Sequence, residues 1–177
     1  ERICPVKAIN FSSMENSGVI AQRCYGCGRC LPVCPQKLIV TRSHSATPDA
    51  IAPLITAGVV AAIEIHTQVG QENDFRRLWQ QIAPWSSSLK LLAISCPDAP
   101  DVIDYLQALH ETISPWSSPL IWQADGRPMS GDIGRGTTHA ALKLAQKLLA
   151  AGLPGYVQLA GGTNDYTAAK LRSLGLM

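Results

Sequence analysis

Five of the six cysteines fall within the first 34 residues, and four of them sit at fixed intervals: Cys24, Cys27, Cys30 and Cys34, the last followed by Pro35. The pattern is C-x2-C-x2-C-x3-C-P, the spacing at which thiolates are presented to a 4Fe–4S cubane. Two-residue gaps let three successive thiolates wrap one cluster while the amides between them face its sulfides. Gly26 and Gly28 provide backbone that can approach closely and take positive φ, and Pro35 turns the chain away after the last thiolate. Where one domain holds two clusters, the fourth Cys of such a run ligates the other cluster. Cys4-Pro5 has the form of the end of a preceding run, and the residues after each Cys-Pro match: Val6-Lys7-Ala8-Ile9 against Gln36-Lys37-Leu38-Ile39. Cys4, Cys24, Cys27 and Cys30 are therefore expected to hold one cluster. Cys34 is expected to serve a second, whose remaining ligands would precede Glu1.

Other uses of these cysteines fit the spacing less well. A disulfide framework needs a secreted context, and nothing in the sequence supports one. A zinc site pairs two C-x2-C knuckles across a longer spacer, whereas here a third Cys follows at once. Residues 1–42 carry Arg2, Lys7, Arg23, Arg29, Lys37 and Arg42 against Glu1 and Glu15, a net +4, so the rest of the chain carries −2 of the overall +2. Arg23 and Arg29 would offset the negative charge of a tetrathiolate cluster. The whole-chain charge gives no signal for nucleic acid. No apolar run approaches the roughly 20 residues of a spanning helix, and a cytoplasmic location is expected. The chain starts without Met and stops just after a helix-like run, so a fragment cut at both ends is expected.

The elements that must position any further chemistry begin at about Pro48. Strands are predicted over 59–66, 89–95, 120–124 and 156–160. Helices are predicted over 72–82, from 98–101 onward, over 139–151 and over 167–174. In the first helix Phe75, Leu78, Trp79 and Ile82 recur at i, i+3, i+4 and i+7. Acidic Asp98 and Asp101 open the second, and Gly152 with Pro154 stops the third. The segment 82–89, Ile-Ala-Pro-Trp-Ser-Ser-Ser-Leu, returns 31 residues later as Ile-Ser-Pro-Trp-Ser-Ser-Pro-Leu, one βα unit apart. Trp85 and Trp116 are expected to plug the core where a helix turns into the next strand. The fold class is thus α/β: a small ferredoxin-like α+β iron–sulfur domain over 1–42, then repeated βα units over 48–177. Those units read as a partial (β/α)8 barrel, with an open doubly wound sheet as the alternative.

In either architecture the working face lies at the carboxyl ends of the strands, which brings His66, Cys96, Asp125 and Gly161-Gly162 together. The segment 125–138 lies between a strand and a helix. Gly131, Gly134 and Gly136 let amides approach a ligand, Arg127 and Arg135 suit phosphate or carboxylate, and Thr137 or Thr138 would cap the helix. It is not a P-loop, since no Lys-Ser/Thr follows the glycines; a loop whose acids pair with its own arginines is the competing account. Gly161 and Gly162 could hold a phosphate as a late βα loop does, or form a tight turn with Asn164 or Asp165 as N-cap. Cys96 is expected to be a buried small hydrophobe, and His66 a satisfied interior histidine. His44, His110 and His139 form no readable constellation.

The cysteine run resembles bacterial-type ferredoxin domains. Together with residues 122–136 (Trp122, Gln123, Ala124, Asp125, Gly126, Arg127 and on through Gly131, Gly134 and Gly136) and 158–164 (Gln158 to Asn164 through Gly161 and Gly162), it resembles the cyanobacterial light-dependent period family of circadian clock input. That resemblance covers essentially the whole chain. It implies a redox sensor whose cluster state reports light or redox condition to clock partners, and no catalytic residue carries over from it. Two functions stand open at this point. One is a sensor or adaptor that exchanges single electrons with a small carrier, a quinone or a ferredoxin. The other is an oxidoreductase whose cluster feeds a flavin or phosphate-bearing ligand at the glycine loops.

Overall fold

The computed structural model describes residues 1–11, 18–42, 45–126, 137–161 and 163–176, with Thr137 described for its backbone only. The chain forms two compact units, Glu1–Ala46 and Thr47–Met177.

In the first unit the only regular secondary structure among the described residues is a short hairpin. β1 (Ile9–Asn10) pairs antiparallel with β2 (Gly18–Val19), Ile9 opposite Val19. Ala8 and Ile9 are the buried apolar residues of this unit. The rest is turns, and they repeat. Lys7 N–H donates to Cys4 C=O at 3.2 Å and Lys37 N–H to Cys34 C=O at 3.1 Å. The two lysines share a left-handed backbone, φ 51° and 52°. A non-glycine residue in that region is uncommon, so its recurrence three residues after each of Cys4 and Cys34 makes the sequence duplication a structural one.

The second unit is a parallel sheet with helical crossovers. After a 3₁₀ turn (Pro48–Ala50) and α1 (Ala52–Thr56) come β3 (Ala62–His66), α2 (Glu72–Ile82), a 3₁₀ segment (Ala83–Ser88), β4 (Leu91–Pro97), α3 (Val102–Ile113), β5 (Leu120–Asp125), α4 (Thr137–Ala151), β6 (Tyr156–Ala160) and α5 (Thr167–Ser173). The strands lie side by side in chain order, β3-β4-β5-β6. The doubly wound alternative requires a reversal of strand order, and the described strands have none.

Register sorts the sheet into two faces. Ile65, Ile94 and Trp122 align across one of them, as do Cys96 and Ala124. These residues are buried with Phe75, Trp79 and Ile82 of α2, Leu106, Leu109 and Ile113 of α3, and Leu144 and Leu148 of α4. On the other face Glu64, Ala93, Ile121 and Tyr156 align, and beyond them His66, Ser95, Gln123 and Gln158. The second of these rows is polar, and Gln123 Nε2 donates to Gln158 Oε1 at 3.1 Å.

Several local expectations shift, and β4 moves by two residues, from 89–95 to Leu91–Pro97. Strand β3 starts at Ala62, because Val59 is exposed and hydrogen bonds back to Leu54, closing α1. Helix α3 starts at Val102, past Pro100, with Asp101 as N-cap. Trp85 is buried as expected, whereas Trp116 is half-buried and stacks edge-on against Trp79 at 5.9 Å. The first copy of the 31-residue repeat forms the 3₁₀ segment and the second does not.

Candidate iron–sulfur centre

The cysteines of the first unit divide between two concavities. Cys4, Cys24, Cys27 and Cys30 line one cleft, with Ala8, Tyr25 and Arg29 beside them. Cys34 is absent from that lining. It opens, with Cys30, onto a second cavity of about 750 Å³ walled by apolar side chains including Ile3, Phe11, Val33, Leu38 and Val40. All five are free thiols, Cys24 and Cys27 exposed and the others partly so.

Backbone amides meet the sulfurs. Ala8 N–H donates to Cys4 Sγ at 3.2 Å. The Arg29 N–H holds the Cys27 thiol below its ordinary range, helped by the Tyr25 hydroxyl and the Arg29 charge. The same contact raises Tyr25. At Cys34 the N–H groups of Ile39 and Leu38 lower the thiol in the same way. Donors aimed at sulfur favour the thiolate, the form that binds metal. Gly26 and Gly28 adopt φ 78° and 71°, the left-handed backbone a β-carbon would strain. Among the described residues no three His, Cys, Asp or Glu side chains converge on a single metal-ion position. A cubane differs from a lone ion in taking its four thiolates at separate corners. Four thiols on one cleft, two of them met by main-chain N–H groups, fit that donor set.

The strand ends of the second unit carry less chemistry. His66 is exposed and pairs with Glu64 of its own strand, Nε2 to Oε1 at 2.7 Å. The expectation of an interior histidine fails because β3 is the end strand of the four-stranded sheet and His66 alternates with the buried Ile65, on the opposite face. Cys96 is buried, and burial pushes its thiol up to about 11. Asp125 and Asp98 carboxylates reinforce the shift. Beside it the Thr67 and Tyr105 hydroxyls are hydrogen bonded. Lys147 of α4 clasps the loop after β4 through Asp98 Oδ1 at 3.2 Å and Ala99 C=O at 2.8 Å. Gly126 donates to Ala160 C=O at 3.2 Å, and a β-carbon there would lie 2.3 Å from the Ala141 nitrogen of α4. That close approach is what the glycine permits.

Of the glycine-loop residues, Arg127, Gly131, Gly134, Arg135, Gly136 and Gly162 lie outside the described residues, as does His44. Gly161 is half-buried with φ 52°. The expected N-caps differ. Asn164 Oδ1 accepts from Tyr166 N–H at 2.9 Å, but Tyr166 is the N-cap of α5. Thr138 lies inside α4, its hydroxyl 3.3 Å from that of Thr167. Sequence reasoning missed the Tyr25–Cys27 contact, the Lys147 clasp and the cavity beside Cys34. Only the first had a signal, an aromatic hydroxyl two residues before a ligand-type cysteine.

The raised Cys96 thiol sets an alkaline limit. The unfolded chain loses this proton near 9 and the folded chain near 11, so folded-state stability is full below about pH 9 and declines as pH rises toward 11. Chemical unfolding of the wild type at pH 8 and pH 10.5 should show that loss, and Cys96→Ala should flatten the difference.

Comparison with known proteins agrees with the two-part chain. The model of the Light dependent period A C-terminal domain matches residues 54–177, and that of the LdpA Fe–S cluster-binding domain matches residues 1–45. Light dependent period A of Synechococcus elongatus is 51% identical over 175 residues, which is 99% of this chain and 48% of that protein. The chain thus spans about half the length of the curated relative it matches. No solved structure matches.

Proposed function

The chain belongs to the light dependent period A family, and from that premise we propose that it is a redox sensor or adaptor relaying light or redox state to partners of a circadian clock input. Its Fe–S cluster-binding domain takes a 4Fe–4S cluster on Cys4, Cys24, Cys27 and Cys30. The observation that carries this reading is that those four thiols line one cleft, while Cys34 lies outside it on a cavity that Cys30 also borders. Cys34 is read as a ligand of a second cluster. When bound, such a cluster supplies reversible exchange of single electrons.

The residues of the chain do the remaining work. Ala8 and Arg29 amides, with the Tyr25 hydroxyl, donate toward ligand sulfurs and stabilise them as thiolates. Arg29 adds positive charge beside Cys27, which favours the more negative, reduced state. Residues 1–42 are read as a ferredoxin-type domain, on the pseudo-twofold Cys-Pro-x-Lys turns. Residues 48–177 are read as part of a (β/α)8-like array, on the sequential strand order and the helices of one face. No helix among the described residues is long and apolar enough to cross a membrane. Exchange with a quinone or ferredoxin supplies the signal.

Anaerobic EPR and visible spectroscopy during a redox titration test this. The expected result is a reversible one-electron cluster signal with no flavin band. A stoichiometric flavin would move the function to an oxidoreductase. A cluster that cannot be cycled within the cellular range would make it structural.

A further inference from the structure

Successive side chains of a strand point to opposite faces of its sheet. Ile65, Ile94 and Trp122 enter the core, so the next residues, His66, Ser95 and Gln123, lie on the other face. They align in register, with Gln158 of β6 beside Gln123. This row crosses all four strands near their carboxyl ends, where parallel sheets hold ligands. The neighbouring row toward the amino ends is Glu64, Ala93, Ile121 and Tyr156. The chemistry changes along the rows. Over β5 and β6, Ile121 is half-buried and the Tyr156 ring is 68% exposed. Beside them the Gln123 and Gln158 carboxamides share one hydrogen bond at 3.1 Å, which leaves each a donor and an acceptor position. On β4, Ser95 is 2% exposed, and its hydroxyl makes no hydrogen bond among the described residues. On β3, Glu64 Oε1 holds His66 Nε2 at 2.7 Å. None of the four strands carries Lys or Arg, so the patch suits an uncharged ligand surface rather than a phosphate.

We infer that this patch binds an adenine nucleoside. The base lies against Ile121 and Tyr156 and turns its polar edge to the two carboxamides. A glutamine carboxamide matches the N6 and N7 edge of adenine, one donor beside one acceptor, and aromatic rings stack on any base. The sugar then extends across the strands toward β3, where its hydroxyls meet Ser95 and the Glu64–His66 pair. A plain sugar is the poorer occupant, because it leaves Ile121 and Tyr156 unused. The inference stands apart from the cluster assignment, since each of these residues belongs to the second compact unit.

The test titrates the cluster-loaded full chain with adenosine, read by calorimetry. Saturable binding is expected. Inosine, which carries a carbonyl in place of the exocyclic amino group, should bind about tenfold more weakly. Gln158→Leu, at an exposed side chain, should cost adenosine about tenfold, and Tyr156→Ala about fivefold or more. Ser95→Ala, a near-isosteric change, should weaken adenosine and leave free adenine unaffected. Adenosine monophosphate should bind no more tightly than adenosine. Far-ultraviolet dichroism checks that each variant is folded. Failure of adenosine to saturate the wild type overturns the site. So does a folded Gln158→Leu chain that binds as the wild type does, or equal binding of adenosine and inosine. A monophosphate that binds far more tightly than adenosine, and ignores Gln158→Leu, overturns it as well by placing the contact at a phosphate site elsewhere.

Discussion

Cys27→Ser should strip the cluster from the first unit, dropping iron and acid-labile sulfide by about four atoms each per chain, while Cys96→Ser leaves both unchanged. Cys27 sits where the chain commits most to a thiolate. Its sulfur is met by the Arg29 amide and the Tyr25 hydroxyl, with the Arg29 charge nearby. It is exposed, so its burial adds nothing that Ser would lose, and the substitution changes ligand chemistry alone. Serine is a far poorer soft-metal ligand than thiolate. Cys96 is the control because it differs in each respect: buried in the sheet core, protonated to about 11 and in the other compact unit. Iron and sulfide analysis after anaerobic reconstitution reads both, and far-ultraviolet dichroism confirms that the helices of the second unit survive. Equal iron loss in the two variants would refute the division of cysteines.

Trp122→Ala should cost the second unit about 3–5 kcal/mol, a large part of the 5–15 kcal/mol typical of a folded domain. The indole is 0% exposed. It lies on β5 between Ile94 of β4 and Val157 of β6, at the centre of the sheet. Its Nε1–H donates to Pro154 C=O at 2.8 Å, which ties the α4–β6 connection to the core. Truncation therefore opens a cavity and leaves a carbonyl without its partner. Trp122→Phe, which keeps most of the volume, should cost less. Trp116→Ala, at a half-buried indole, should cost less as well. Urea unfolding followed by dichroism checks all three. A loss under 1 kcal/mol for Trp122→Ala would mean that the core is organised elsewhere.

The parts of the fold legible in the sequence are those set by local rules. Helix α2 runs over 72–82 as expected, because Phe75, Trp79 and Ile82 recur on one stripe and all three are buried. Strand β6 likewise keeps its bounds at 156–160. The Cys-Pro-x-Lys duplication was legible too, and it reappears as two equal left-handed turns. What escaped depends on neighbours distant in sequence. His66 looked interior because apolar residues precede it. Which strand forms an edge follows from strand order, and strand order is not written locally. The cavity beside Cys34 is made by side chains from residue 3 to residue 40, a convergence with no sequence motif. Gly126 could be marked as a loop residue, but its contact with α4 arises only when β5 and α4 pack.

The most direct measurement compares Cys4→Ser with Cys34→Ser by iron content and EPR of the reduced chain, each reconstituted anaerobically beside the wild type. The account predicts that Cys4→Ser loses the cluster signal while Cys34→Ser keeps it, because Cys4 shares a cleft with Cys24, Cys27 and Cys30 and Cys34 faces the other cavity. Loss of the signal in Cys34→Ser with retention in Cys4→Ser would place the cluster on the contiguous run and contradict the account.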